Sequence, residues 1–68
     1  MWVISHNYSI NLDQCCYYRA SKIDDEGRTV FKMTDGKFVI ITCDYKTVHK
    51  QVTDAMTVPD LYTVVLKY

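Results

Sequence analysis

The hydrophobic and polar positions of this chain alternate in a pattern that predicts a β-rich domain. In residues 8–13, apolar side chains at even positions are separated by polar ones, as in a strand with one buried face. Residues 11–13 favour a bend, because Asn and Asp side chains bond to nearby backbone. Asp35-Gly36 is typical of a hairpin turn between two β-rich runs. Strands are predicted at 2–4, 8–13, 14–23, 29–33, 38–43 and 61–68.

Three of these segments are apolar on both faces. Residues 15–18 read Cys-Cys-Tyr-Tyr, with no polar break. Strict alternation places Cys15 and Tyr17 on one face of the strand and the other two side chains on the opposite face. Residues 38–43 have the composition of a central strand, and residues 61–68 repeat the pattern. Each segment is therefore expected to be covered on both sides.

The apolar period changes after Cys43 and predicts one amphipathic helix. Asp44 or Thr47 can cap its first turn, and Pro59 ends it because the residue before proline avoids helical geometry. Its apolar stripe consists of Tyr45, Val48, Val52, Ala55 and Met56.

The predicted fold class is therefore α+β. We expect a small twisted antiparallel sheet of four to six strands with one amphipathic helix packed on one face. A helix of about 12 residues is about 18 Å long and covers the middle of one sheet face. Three covers are possible for the other face: closure into a partial barrel, a second copy of the chain, or a partner protein.

Chain length, charge and cysteine spacing limit the number of domains, the kind of partner and the state of the thiols. The chain has 68 residues, which predicts a single domain over 1–68. Eight basic and eight acidic side chains cancel, so charge does not point to nucleic acid or to a membrane surface. Three cysteines without a CxxC pair indicate free thiols in a reducing cytoplasm.

Candidate catalytic and metal-binding groups are weak. His6, His49 and the cysteines lack the paired spacing of a zinc site, so surface histidines and buried thiols are the simpler interpretation. The acidic residues 24–26 are expected to form a solvated turn rather than a catalytic pair. Gly27 and Gly36 are the only glycines, which excludes a glycine-rich phosphate cradle. We therefore predict no metal, no cofactor and no enzymatic activity.

The six tyrosines indicate association, since tyrosine suits interfaces with its apolar ring and polar tip. We predict a small intracellular protein-binding module that forms a homodimer or higher homo-oligomer and occludes or bridges a partner protein. The layout resembles that of many short bacterial and phage open reading frames, with a first strand that begins at Trp2, an Ile-Asn-Leu-Asp segment at 10–13, a hairpin and a helix. We expect the module to act as small phage or mobile-element accessory or inhibitor proteins do, in the cytoplasm, or in the host cytoplasm if phage-encoded. The predicted protein contacts are Trp2, Tyr17, Arg19, Tyr62 and Val64.

The alternative function is single-stranded nucleic-acid binding by a sheet. Strand tyrosines beside Arg19 and Lys22 could stack bases. The chain has no basic groove and no excess positive charge to drive counterion release. Nucleic acid is therefore the less favoured partner, and aromatic packing across neighbouring strands is the simpler interpretation of these tyrosines.

Overall fold

The described residues form six strands and one α-helix, which confirms the predicted α+β class. The computed structural model describes residues 1–6, 8–21 and 27–67. The predicted acidic turn at 24–26, the side chains of Lys22 and Tyr68, and Asn7 lie outside the described residues. The elements are β1 (Trp2–Ser5), β2 (Tyr8–Asn11), a 3₁₀ turn (Leu12–Gln14), β3 (Cys15–Ala20), β4 (Thr29–Met33), β5 (Phe38–Ile41), α1 (Tyr45–Met56) and β6 (Thr63–Val65).

The strands form two three-stranded sheets instead of one continuous sheet. In sheet 1, β1 lies between β2, its antiparallel neighbour, and β6, its parallel neighbour. In sheet 2, β4 lies between β3 and β5, and both pairs are antiparallel. The parallel pair arises because the chain returns through α1, and parallel strands require such a crossover. The strands of the described residues do not close into a barrel.

The bend expected at residues 11–13 separates the two sheets. Asn11 ends β2, and its side-chain oxygen accepts a hydrogen bond from the Asp13 N–H at 3.0 Å. This Asx-type bond opens the 3₁₀ turn that carries the chain from β2 to β3. A polar residue that satisfies the local backbone therefore ends the first sheet and begins the second.

One hydrophobic core lies between the inner faces of both sheets and the helix. In sheet 1, Val3 is paired with Ile10 on one side and Val64 on the other, and all three are buried. Sheet 2 contributes Phe31 and Ile41 to the same cluster. The helix adds Val48, Val52 and Ala55. The helix thus packs against the inner faces of both sheets, and the outer faces of the sheets point away from it.

The helix begins and ends close to its predicted limits. The Asp44 carboxylate accepts hydrogen bonds from the N–H and the hydroxyl of Thr47, and these bonds lower the pKa of Asp44. The last helical residue is Met56, and the Thr57 hydroxyl closes that end by donating to the Asp54 carbonyl at 2.7 Å. Met56 was expected on the apolar stripe but is exposed, because it follows the last buried turn. Among the described residues, no helix is long and apolar enough to cross a membrane.

The predicted hairpin turn joins β4 to β5. Gly36 has a φ of 89°, a left-handed conformation that glycine adopts without steric cost. Its N–H donates to the Met33 carbonyl at 3.0 Å, and the Met33 N–H donates to the Lys37 carbonyl at 2.8 Å. This arrangement fixes the register of β5 on β4.

Candidate functional site: the outer face of sheet 2

A β-bulge at the start of β3 decides which tyrosine faces the core. Cys15 is paired with Met33, but Tyr17 is paired with Lys32, so Cys16 is an extra residue in the strand. The bulge shifts the alternation by one position. Cys15 packs beside Tyr18 against the core, while Tyr17 is exposed. The expectation that Cys15 and Tyr17 share a face is therefore wrong.

Tyr18 is held on the inner side by three aromatic neighbours. Its ring stacks on Phe31 with a centroid distance of 5.4 Å, and Tyr45 lies 5.7 Å away. Its hydroxyl oxygen lies 2.9 Å from Nδ1 of His49. Burial raises the pKa of the Tyr18 hydroxyl, with a further contribution from Tyr45. Tyr18 is thus part of the fold rather than of a contact surface.

The opposite side of sheet 2 carries two rows of side chains that cross all three strands. We call these six side chains the outer face. One row contains Tyr17, Lys32 and Phe38, because Lys32 is paired with both neighbours. The second row contains Arg19, Val30 and Ile40.

The outer face combines exposed apolar groups with positive charge. Tyr17 is 46% exposed, Phe38 52% and Ile40 46%, so three large apolar side chains meet solvent on one surface. Arg19 and Lys32 carry the only charges among its six positions. The Lys32 ammonium lies 4.6 Å from the centre of the Phe38 ring, a cation–π distance.

The predicted contact residues lie in two separate places. Tyr17 and Arg19 belong to the outer face, as described above. Trp2 is exposed on sheet 1. Its backbone N–H donates a hydrogen bond to the carbonyl of Tyr62 at 2.7 Å, and Tyr62 is also exposed. Val64 is 7% exposed and packs in the core, so its prediction as a protein contact is wrong. Its neighbour Val65 is the exposed residue, because adjacent strand residues face opposite sides.

The sequence pattern did not predict that Lys32, Phe38 and Ile40 lie together on one surface. The apolar run at 38–43 was interpreted as a central strand, yet β5 is an edge strand of sheet 2 and β4 is the central one. The available signal was the two-faced pattern itself. An apolar strand that lies at an edge leaves one set of its side chains uncovered.

The thiols and histidines are spread over several elements of the fold. All three cysteines are free. Burial raises the pKa of Cys15 and of Cys43, which lowers the fraction of reactive thiolate in both. Within residues 1–6, 8–21 and 27–67, no three His, Cys, Asp or Glu side chains converge as metal ligands would.

An open depression of about 330 Å³ lies beside the first turn of α1. The residues that line it include Ser21, Gly27, Arg28 and Asp44. We assign no ligand to this depression, because Ser21 and Gly27 flank residues 22–26, which are outside the described part of the chain.

Comparison of the chain with protein-family models, with curated proteins and with solved structures gave no match.

Proposed function

We propose that this protein is a small, self-associating protein-binding module whose outer face receives a partner protein. The observation that carries the proposal is the grouping of Tyr17, Phe38 and Ile40, each about half exposed, on one side of sheet 2. Burying half of an aromatic side chain removes roughly 100 Å² of apolar surface. At about 25 cal/mol/Å², each aromatic can contribute about 2.5 kcal/mol before the cost of association.

The charges of the outer face indicate the chemistry of the partner. Arg19 and Lys32 lie in the two rows, and no acidic side chain occupies any of the six positions. A partner segment with apolar residues beside Asp or Glu would complement both features. Such a module acts by occluding or bridging its partner, without a chemical step of its own. Free thiols support action in the cytoplasm, or in the host cytoplasm for a phage-encoded accessory or inhibitor protein.

Single-stranded nucleic acid is a second candidate, favoured by the presence of two aromatic and two cationic side chains on the outer face. Tyr17 and Phe38 lie in one row, separated by about 10 Å across two strand spacings. However, the Lys32 ammonium already lies over the Phe38 ring, so a base would have to displace it to stack there. The chain has no net charge, which also disfavours a polyanion. Lys22, the other cation of this hypothesis, lies outside the described residues.

Selection from a random peptide library, with the protein immobilised, tests the protein-binding proposal. Tyr17→Ser should lose the selected peptides, while Tyr8→Ser should retain them. Tyr8 is a matched control, because it is 48% exposed but belongs to sheet 1. Enriched peptides should be apolar and acidic. When such a peptide is added, the NMR chemical shifts of the protein should change at Tyr17, Lys32 and Phe38. Equal binding by both variants would refute the proposal.

Fluorescence anisotropy with a labelled thymidine oligonucleotide at low salt tests the second candidate. Binding that weakens with salt and is lost in Tyr17→Ser would favour nucleic acid over protein. No binding at low salt would remove this candidate and leave the peptide experiment unaffected.

A further inference from the structure

The backbone of β5 presents hydrogen-bonding groups along an edge of sheet 2. The Met33 N–H bonds to the Lys37 carbonyl, and pairing continues with Phe31 opposite Val39 and Thr29 opposite Ile41. Hydrogen-bonded pairs recur every second residue in an antiparallel ladder. The N–H and C=O groups of Val39 therefore point to β4, while those of Phe38 and Ile40 point away from it. No strand of the described residues pairs with this side.

The other sheet edges are protected against pairing with another chain or carry polar side chains. β3 has the bulge at Cys16 and the charged Arg19, two common protections of an edge strand. β6 has only three residues, and β2 has no charge, proline or register shift but carries the polar Ser9 and Asn11 beside its apolar residues. By contrast, β5 reads Phe-Val-Ile-Ile, without charge, proline or register shift. Among the described edges, β5 is the one whose residues are all apolar.

We propose that two copies of this chain pair β5 with β5 in antiparallel orientation, joining the two copies of sheet 2 into one six-stranded sheet. The two-fold axis passes beside Val39. Phe38 of one copy then lies opposite Ile40 of the second copy, and their outward N–H and C=O groups form reciprocal hydrogen bonds. This pairing deepens the self-association part of the proposed function, on which it rests.

Side-chain packing favours this register. Phe38 and Ile40 lie on the same face of β5 and are both about half exposed. The two-fold axis brings the aromatic side chain of one copy beside the β-branched side chain of the other, a favourable cross-strand pair. A two-fold interface uses the same surface twice, so one strand supplies both halves.

Charge favours a second copy at the edge over a second copy stacked on the outer face. Stacking two outer faces would bring Arg19 and Lys32 of one copy against the same cations of the other. Edge pairing leaves these cations on the solvent side of the joined sheet, and it doubles the outer face. A foreign strand could also pair with this edge. Because the chain has no net charge, however, two copies do not repel each other and can associate directly.

The size of the interface sets the expected strength. A pair of four-residue strands buries less than the roughly 1,200 Å² of a standard stable interface. The dimer should therefore depend on concentration and dissociate on dilution. It would be seen as a mass that rises with concentration rather than as a fixed dimer.

Sedimentation equilibrium from about 10 μM to about 1 mM tests the dimer in the micromolar to millimolar affinity range. The apparent mass of the unmodified chain should rise from 8.0 kDa towards twice that value. Ile40→Lys should remain at 8.0 kDa, because it places a charge beside the interface. Val65→Lys is the matched control, since it adds the same charge to an exposed position of sheet 1 and should behave as the unmodified chain.

A second variant separates loss of pairing from loss of folding. Ile40→Pro removes an N–H that points away from β4, so the bonds to β4 remain, and proline is tolerated at such edge positions. Circular dichroism should show a folded chain that stays monomeric. A constant mass of the unmodified chain at all concentrations, or equal dimerisation of Ile40→Lys, would overturn the proposal.

Amide hydrogen exchange identifies the pairing edge directly. In concentrated protein, the Phe38 and Ile40 amides should gain protection relative to dilute protein, while the Val39 amide is protected in both. If protection appears only when a selected peptide is added, β5 receives a foreign strand and the dimer is overturned. Peptide binding to the outer face, measured on dilute monomer through Tyr17, can succeed or fail independently.

Discussion

The side chain of Gln51 and the backbone of Lys67 form a closed pair of hydrogen bonds. Nε2 of Gln51 donates to the Lys67 carbonyl at 2.7 Å, and the Lys67 N–H donates to Oε1 at 2.9 Å. The side-chain amide of Gln51 thus pairs with both backbone groups of Lys67, as a residue of a neighbouring strand would. It connects the middle of α1 to the segment that follows β6.

We expect Gln51→Ala to lower the free energy of unfolding by about 1–3 kcal/mol, because two hydrogen bonds are lost at about 0.5–1.5 kcal/mol each. Urea unfolding measures this change. Lys50→Ala is the matched control: it truncates the adjacent exposed position and should change stability by less than about 0.5 kcal/mol. Equal effects of the two variants would show that the Gln51 pair contributes nothing specific.

The two adjacent tyrosines should respond in opposite ways to a negative charge. Tyr18→Glu removes a ring that stacks on Phe31 and places a carboxylate against the core, so we expect the domain to unfold. Tyr17→Glu should remain folded and lose partner binding, because its side chain is on the outer face. Thermal unfolding followed by circular dichroism distinguishes the variants. Loss of folding in both would contradict the bulged register of β3.

Thr29 should be sensitive to removal of a single oxygen atom. Its fully buried hydroxyl donates to the Cys43 carbonyl at 2.6 Å, linking β4 to the residue just before the helix cap. Thr29→Val keeps the shape but leaves that carbonyl without its donor, so we expect a loss of about 1–3 kcal/mol in chemical unfolding. Thr29→Ser keeps the hydroxyl and should retain the hydrogen bond. It loses only the stability that the removed methyl group contributed to packing.

The three thiols should differ in reactivity. Cys16 is exposed, whereas Cys43 is buried and has a pKa raised by burial and by the nearby Asp44 carboxylate. At mildly alkaline pH, iodoacetamide should modify Cys16 first, and Cys43 only as fast as the domain opens. Peptide mapping by mass spectrometry identifies the modified residue. Early modification of Cys43 would contradict its placement in the core.

The same raised pKa values determine how stability changes at high pH. Because the folded state raises the pKa of the Cys15 and Cys43 thiols above the ordinary value of 9.0, the unfolded chain loses these protons first. Their contribution to stability is complete below pH 9 and is lost as the pH rises through the folded-state values. The urea concentration at the unfolding midpoint should therefore decrease as the pH rises above about 9. A midpoint that rises over this interval would contradict the sign of both shifts.

Local chemistry allowed much of the fold to be predicted from the sequence. The Asp35-Gly36 turn and the Asp44 cap are confirmed, because each depends on side chains only a few residues apart. The bend near Asn11 is confirmed for the same reason. These features need no knowledge of distant contacts.

Features that depend on distant pairing were not predicted. The side-chain pattern of 15–18 does not reveal the extra residue at Cys16, so Tyr17 and Tyr18 could not be assigned to faces. Apolar residues at 38–43 could not show whether β5 is central or at an edge. Val64 was placed on the wrong side because the sequence does not fix which face of β6 meets the helix. Strand order alone decides these questions.

The bulge in β3 also determines where this gene can lose a codon. Removing Cys16 would leave Cys15 opposite Met33 and Tyr17 opposite Lys32, now as consecutive pairs of a regular ladder. Every later side chain of β3 would keep its face. Removing Arg19 instead would reverse the faces of the residues on one side of the gap. Cys16 is therefore a position where a length change is compatible with the fold, two codons away from the tyrosine that the core requires.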